Sequence, residues 1–218
     1  MILIFDLDDT LYQEELYALS GFKAVADYIS DTYKVVSEES FGTLISALKS
    51  GERDQAFQKL IQKWGLPQSA VHKCLSVYRN HIPNIHLAKE AEEVLRIYSK
   101  VNKYVVTDGN KIVQKRKIDA LKLNSIFNRC LITHNFGLKA AKPSTFCFDK
   151  IRTIEVATWQ DLVYVGDDPT KDFVNLKPLG VKTVRVMTGR HAKIEVPSEL
   201  EAEIRIPSLI HLKDALQS

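Results

Sequence analysis

The chain has 218 residues, and 30 Lys and Arg against 27 Asp and Glu give it a net charge of +3. Its basic residues are scattered, too weak a bias for a nucleic-acid partner, and no stretch approaches the ~18 apolar residues of a membrane span. Cys74, Cys130 and Cys147 stand far apart with no CxxC pair, so neither a disulfide framework nor a zinc site is indicated, and a reducing, cytoplasmic setting is expected.

In chain order, the first predicted element is ILIF (2–5), apolar at every position as a strand buried on both faces would be. Three carboxylates follow it in DLDDT: Asp6, Asp8 and Asp9. Residues 15–86 then show little β signal. GFKAVADYISDTY, EESFGTLISALKS, RDQAFQKLIQKWG and QSAVHKCLSVYRN each place apolar residues at helical spacing, punctuated by Gly51, Gly65 and Pro67. They read as an inserted helical domain, from which HIPNIHLAKEAEEVLRIYSK returns the chain through a helix.

Beyond it, strand-like runs KYVVT (103–107), CLIT (130–133), DLVYVG (161–166), KTVRVM (182–187) and a weaker EIRI (203–206) alternate with helical patterns. NKIVQKRKIDALKL and STFCFDKIRTIEV supply two of these, and PSLIHLKDALQS predicts a closing helix from about Pro207. The alternation predicts an α/β doubly wound parallel sheet, with residues 1–14 and 87–218 as the core domain and 15–86 as the helical domain.

Three polar clusters directly follow predicted strands: DLDDT, TDGN at 107–110 and GDDPTKD at 166–172; a fourth, AAKPS at 140–144, lies a loop beyond CLIT. Strand carboxyl ends line one crevice in such a sheet, so these distant segments can meet. Asp6, Asp8, Asp167, Asp168 and Asp172 call for a cation, and hard oxygen ligands select Mg²⁺. Thr107, the amides after it and Lys142 suit an anion's oxygens, so a phosphoryl group would be neutralised from both sides.

DLDDT, TDG, KP and GDDPTKD, in that order and with a helical insertion after the first, resemble the haloacid dehalogenase superfamily, whose phosphatases carry a helical cap inserted just after the first strand. The resemblance covers essentially the whole chain and implies a Rossmann-like core. It implies Asp6 as the nucleophile, forming an aspartyl-phosphate, and Asp8 as general acid and base. Mg²⁺ would take the Asp6 carboxylate, the Asp8 backbone carbonyl and the Asp167 carboxylate, with Asp168 or Asp172 acting through water. Thr107 and the Asp108 amide would hold phosphoryl oxygens and Lys142 would screen the charge; Asp108 itself stands where many relatives have Asn or Ser. The implied activity is a Mg²⁺-dependent phosphatase for a small organic phosphate such as a sugar phosphate or nucleotide, in a monomer or homodimer.

Alternation along an extended segment points Asp6 and Asp8 one way and Asp9 another, leaving Asp9 to bond a neighbouring loop. A phosphomutase would keep the same core residues. A dehalogenase would have no use for Asp8 as an acid or for the acidic cluster, and a phosphonatase needs a cap lysine that nothing marks out. A phospho-acceptor signalling domain could use Asp8, Asp9, Asp108, Thr133 and Lys142, but such domains run to about 120 residues without a helical insertion. The basic run KIVQKRK (111–117) reads as a solvated helix face, and the six histidines as surface or hinge residues rather than ligands. Tyr12, Tyr17, Phe22, Phe57, Trp64 and Tyr78 read mostly as apolar helix faces, with Tyr12 and Tyr17 near enough in sequence to the nucleophile to reach a substrate.

Overall fold

A computed structural model describes residues 1–217. Two compact units emerge, one formed by Met1–Glu14 with the chain from His86 onward, the other by Glu15–Ile85.

In the first unit, six parallel strands among the described residues form one sheet. They are β1 (Ile2–Phe5), β2 (Lys103–Thr107), β3 (Arg129–Ile132), β4 (Leu162–Gly166), β5 (Lys182–Val186) and β6 (Ile204–Ile206), in the spatial order β3-β2-β1-β4-β5-β6. Phe5 lies level with both Val105 and Val165, so β1 ends first, with β4 running on to Gly166 and β2 to Thr107. The order reverses direction beside β1, which places the crevice of a doubly wound sheet at the exits of β1 and β4.

All of β1, β2 and β4 is buried, hence their unbroken apolar runs. Ile2, Ile4, Tyr104, Val106, Leu162 and Tyr164 share one face with Phe148 and Ile151 of a helix over Phe146–Ile154. On the other, the Phe5 ring meets Phe127 edge-on at 6.0 Å. Each such fully buried side chain contributes about 1.5–3 kcal/mol.

The helices in chain order are α1 (Glu14–Tyr33), α2 (Ser37–Lys49), α3 (Ala56–Lys63), α4 (Ala70–Asn80), α5 (Lys89–Ile97), α6 (Lys111–Ala120), α7 (Phe146–Ile154) and α8 (Leu212–Gln217). The Glu15–Ile85 unit has its own core, where Phe22, Val25 and Ile29 of α1 meet Leu44 and Ala47 of α2, Leu60 of α3 and Cys74 of α4.

Three boundaries differ from the expected ones. α1 begins at Glu14, well ahead of Gly21, because Asp9 Oδ1 accepts the Glu14 amide at 2.9 Å and caps the helix there. β3 spans Arg129–Ile132 and Thr133 opens a 3₁₀ turn instead of ending the strand. The C-terminal segment forms a 3₁₀ turn at Leu209–His211 before α8, so regular helix starts later than Pro207. Among the described residues no helix is long and apolar enough to cross a membrane.

Candidate active site

The strand exits gather the expected residues in the first unit. Asp6 directly follows β1, its amide donating to the Val165 carbonyl of β4 at 2.8 Å; Thr107 ends β2 and Asp167 follows β4. Asp6, Asp8, Thr107, Asp108 and Asp167 line one cavity of about 50 Å³, with Lys171 and Arg190 as its cationic lining and His191 beside them.

Lys142 sits in the loop before α7, with its Nζ 2.9 Å from Asp6 Oδ1, 2.9 Å from Asp172 Oδ1 and 2.9 Å from the Tyr164 hydroxyl, which itself donates to Asp172 at 3.1 Å. Asp6, Asp167 and Asp172 are buried, with one carboxylate oxygen each within 4.8 Å of the others. Gly166 makes room for this, since a Cβ there would lie 2.4 Å from Asp172 Oδ2.

Asp168 stands outside that trio. Its Oδ1 accepts the Thr170 amide and hydroxyl at 3.0 and 2.6 Å, closing the turn of GDDPTKD. Asp108 Oδ1 accepts the Thr133 hydroxyl at 2.6 Å and the Lys142 amide at 3.1 Å, joining the loops after β2 and β3. Asp9 turns away as expected, though through a left-handed backbone (φ +53°) and not strand alternation: besides capping α1 it accepts the Thr188 hydroxyl at 2.7 Å through its backbone carbonyl.

The charges explain why such a cluster needs a partner. Burial pushes the Asp6 carboxyl up to about 7 against the Lys142 ammonium, and Asp172 and Asp167 add to the rise. Asp167 is raised by burial, opposed by a hydrogen bond from His191. Lys142 is held well above its usual value because Asp172 and Asp6 outweigh its desolvation. Three buried carboxylates offering only hard oxygen atoms, with no cysteine in the group, suit a divalent cation of the Mg²⁺ kind.

The sequence profile described as haloacid dehalogenase-like hydrolase matches residues 3–186. The chain belongs to that family. It is an enzyme, a hydrolase, with the Rossmann-like parallel sheet of the family. Relatives named glyceraldehyde 3-phosphate phosphatase match it in Pyrococcus furiosus (24% identity, 99% of this chain and 92% of the relative) and in Methanocaldococcus jannaschii (26%, 99% and 96%). The solved structure of the HAD-hydrolase YfnB from Bacillus subtilis bound to magnesium shares the fold, with a TM-score of 0.68 at 18% identity over 100% of this chain and 98% of that one.

In this hydrolase Asp8 has partners that the sequence did not reveal. Its Oδ1 accepts the Tyr12 hydroxyl at 2.5 Å and its Oδ2 the Gln114 amide at 3.1 Å, while Lys117 Nζ reaches both oxygens at 2.7 and 2.9 Å. Burial alone would raise Asp8, but the Lys117 charge and these hydrogen bonds hold it below the usual carboxylate range. The solvated-face reading of 111–117 is thereby corrected. It fits Lys115, whose side chain is 62% exposed and paired with Asp119, but Lys117 is 3% exposed.

The general reading of the histidines is corrected at His191, whose Nδ1 lies 2.7 Å from Asp167 Oδ2. The loop carrying it is fixed by Arg185 of β5, fully buried, which donates to the carbonyls of His191 and Ile194 at 2.7 and 2.8 Å and pairs with Glu201 at 2.7 Å. A charged residue inside a buried strand was the available signal, since such a group needs partners. Tyr12 proves to be a hydrogen-bond donor within the site, not merely an apolar face.

Proposed function

We propose that the chain is a Mg²⁺-dependent phosphatase that hydrolyses a small organic phosphate monoester through an aspartyl-phosphate on Asp6. The coarse class, a phosphoric monoester hydrolase of the haloacid dehalogenase-like family, rests on the family match and the phosphatase relatives. The observation that carries the finer reading is the buried trio Asp6, Asp167 and Asp172, in which Lys142 bridges Asp6 and Asp172, while Asp6 and Asp167 line the cavity that Asp8 and Thr107 also line. Glyceraldehyde 3-phosphate, the substrate named for the relatives, is the first compound to assay.

Asp6 and Asp167, with the Asp8 backbone carbonyl, would hold the metal, supported by Asp172 more directly than by Asp168, which is engaged with Thr170. Bound there, Mg²⁺ supplies Lewis-acid charge neutralisation at the phosphoryl oxygens.

An Asp6 oxygen attacks phosphorus, the ester P–O bond breaks, and the departing alkoxide takes a proton delivered by Asp8, whose carboxylate, ionised in the resting site, first takes that proton up from solvent. Water then attacks the aspartyl-phosphate, Asp8 accepts its proton, and the bond to Asp6 breaks to release phosphate. Thr107 and the Asp108 amide hold phosphoryl oxygens, and Lys142 screens the charge of Asp6 and the phosphoryl group. The helical unit, residues 15–85, serves as the cap that selects the leaving group. A departing halide would need neither the Asp8 proton nor the acidic trio.

Phosphate release from glyceraldehyde 3-phosphate and a panel of sugar phosphates and nucleotides tests this. Turnover with Mg²⁺ that vanishes in EDTA is expected. Full activity in chelator would overturn the metal, and no phosphate release from any member of the panel would overturn the phosphatase.

A further inference from the structure

We infer that Tyr12, Gln114 and Lys117 are positioning residues that clamp the Asp8 carboxylate and act on the reaction only through it. The inference rests on the proposed role of Asp8 as acid and base.

A carboxylate offers two lone pairs on each oxygen, four acceptor positions in all. Here Oδ1 takes Tyr12, Oδ2 takes Gln114, and the single Lys117 Nζ spans both oxygens, so three donors hold the carboxylate and the shared ammonium can yield one acceptor position to the proton in transit. Turning the carboxylate out of this plane breaks bonds on both sides, which fixes its orientation toward the cavity that Asp6 and Thr107 share.

Several features of α6 are hard to explain unless they serve Asp8. Gln114 and Lys117 lie three apart on one helix face, where a helix packing only for stability would carry Leu or Met. A buried ammonium loses several kcal/mol of hydration that a hydrophobic residue would not lose. Among the described residues no group donates to buried Gln114 Oε1, while its Nε2 is turned to Asp8.

The backbone ahead of the helix is built around that same amide. Gly109 has φ +128°, and a Cβ there would lie 2.8 Å from Gln114 Nε2. Asn110 caps α6 by accepting the Ile112 and Val113 amides at 3.0 and 3.3 Å, which fixes where the helix starts and hence which residues face Asp8. Lys117 Nζ also stands 5.9 Å from the Tyr12 ring centroid, so the donors support one another.

The test is a double-mutant cycle read in kcat and KM with p-nitrophenyl phosphate and glyceraldehyde 3-phosphate. Tyr12→Phe, Gln114→Ala and Lys117→Met are each made in the native protein and in Asp8→Asn, and thermal melts confirm folding. In the native background each should lower kcat roughly 10- to 100-fold with little change in KM, as a misplaced catalytic group does. In Asp8→Asn the same substitutions should change kcat by less than about twofold, because the group they act through is already disabled. Lys117→Met leaves Asp8 without its cation and can fail to fold; Tyr12→Phe and Gln114→Ala do not share that weakness. Equal losses in both backgrounds, or a native-background kcat untouched by Tyr12→Phe and Gln114→Ala while Asp8→Asn is impaired, would overturn the clamp alone. An Asp8→Asn protein with undiminished kcat would overturn the role of Asp8 and the clamp with it.

Discussion

Lys142 Nζ stands 2.9 Å from Asp6 Oδ1, and both side chains are buried. The same ammonium is 2.9 Å from Asp172, so one cation is shared between two carboxylates. Breaking a buried pair by removing one partner costs about 3–5 kcal/mol, because the other charge stays behind. Lys142→Met should therefore be destabilised by that order in EDTA, and part of the loss should return with Mg²⁺, which supplies positive charge to the same carboxylates. Urea unfolding in chelator and in saturating Mg²⁺ measures both. Equal destabilisation in the two conditions would mean that the metal lies elsewhere.

The raised Asp6 carboxyl sets a pH dependence for the metal-free protein. Its value of about 7, against an ordinary 3.8, means that the folded state binds more protons than the unfolded state between these limits. Stability then falls as pH rises through that window. Asp167 and Asp172 face Asp6 with the same sign of charge, and Lys142 and Lys171 oppose them. Mg²⁺ binds the ionised form, so the melting temperature in EDTA should drop from pH 5 to pH 7.5 and the stabilisation by Mg²⁺ should grow over the same range. A Mg²⁺ increment that shrinks as pH rises would contradict the assignment of Asp6 to the metal.

The strands were legible because burial on both faces leaves unbroken apolar runs such as ILIF, and the polar groups closing them marked the crevice. Asp6, Asp8, Thr107 and Asp167 could be named because each stands at a strand exit or just beyond one. Lys117 and His191 could not, because each becomes distinctive only through a residue far away in sequence, Asp8 or Asp167. Nothing local separates buried Lys117 from exposed Lys115 within KIVQKRK. The hint was the three-residue spacing of Gln114 and Lys117 after Gly109, and its meaning depends on which face of α6 meets the loop after β1.

Asp9 separates fold from chemistry in the DLDDT motif. Its φ of +53° is left-handed, a region that Asn and Asp tolerate better than other residues with a Cβ. Asn keeps an acceptor for the Glu14 amide, so Asp9→Asn should retain most activity. Asp9→Ala loses the cap and should be destabilised by about 1–2 kcal/mol in urea unfolding. Loss of turnover in a well-folded Asp9→Asn protein would show that Asp9 belongs to the catalytic group after all.

Asp6 and Asp8, neighbours in sequence and in one cavity, should fail in different ways. Asp6→Asn removes the nucleophile, since an amide is a poor one, and should abolish both turnover and covalent labelling. Asp8→Asn leaves Asp6 free to attack, but the alkoxide goes unprotonated and water unactivated, so each step should slow by roughly 10²- to 10⁴-fold. With p-nitrophenyl phosphate the leaving group needs little help from an acid, whereas hydrolysis of the aspartyl-phosphate still lacks its base. The first step then outruns the second, and Asp8→Asn should accumulate the intermediate. Acid-quenched intact-mass spectra would show a phosphoryl adduct, and peptide mapping would place it on Asp6. The Asp108 carboxylate is already occupied by Thr133 and the Lys142 amide, so it should stay unlabelled. An adduct on Asp108, or none with any activated phosphate, would overturn Asp6 as the nucleophile.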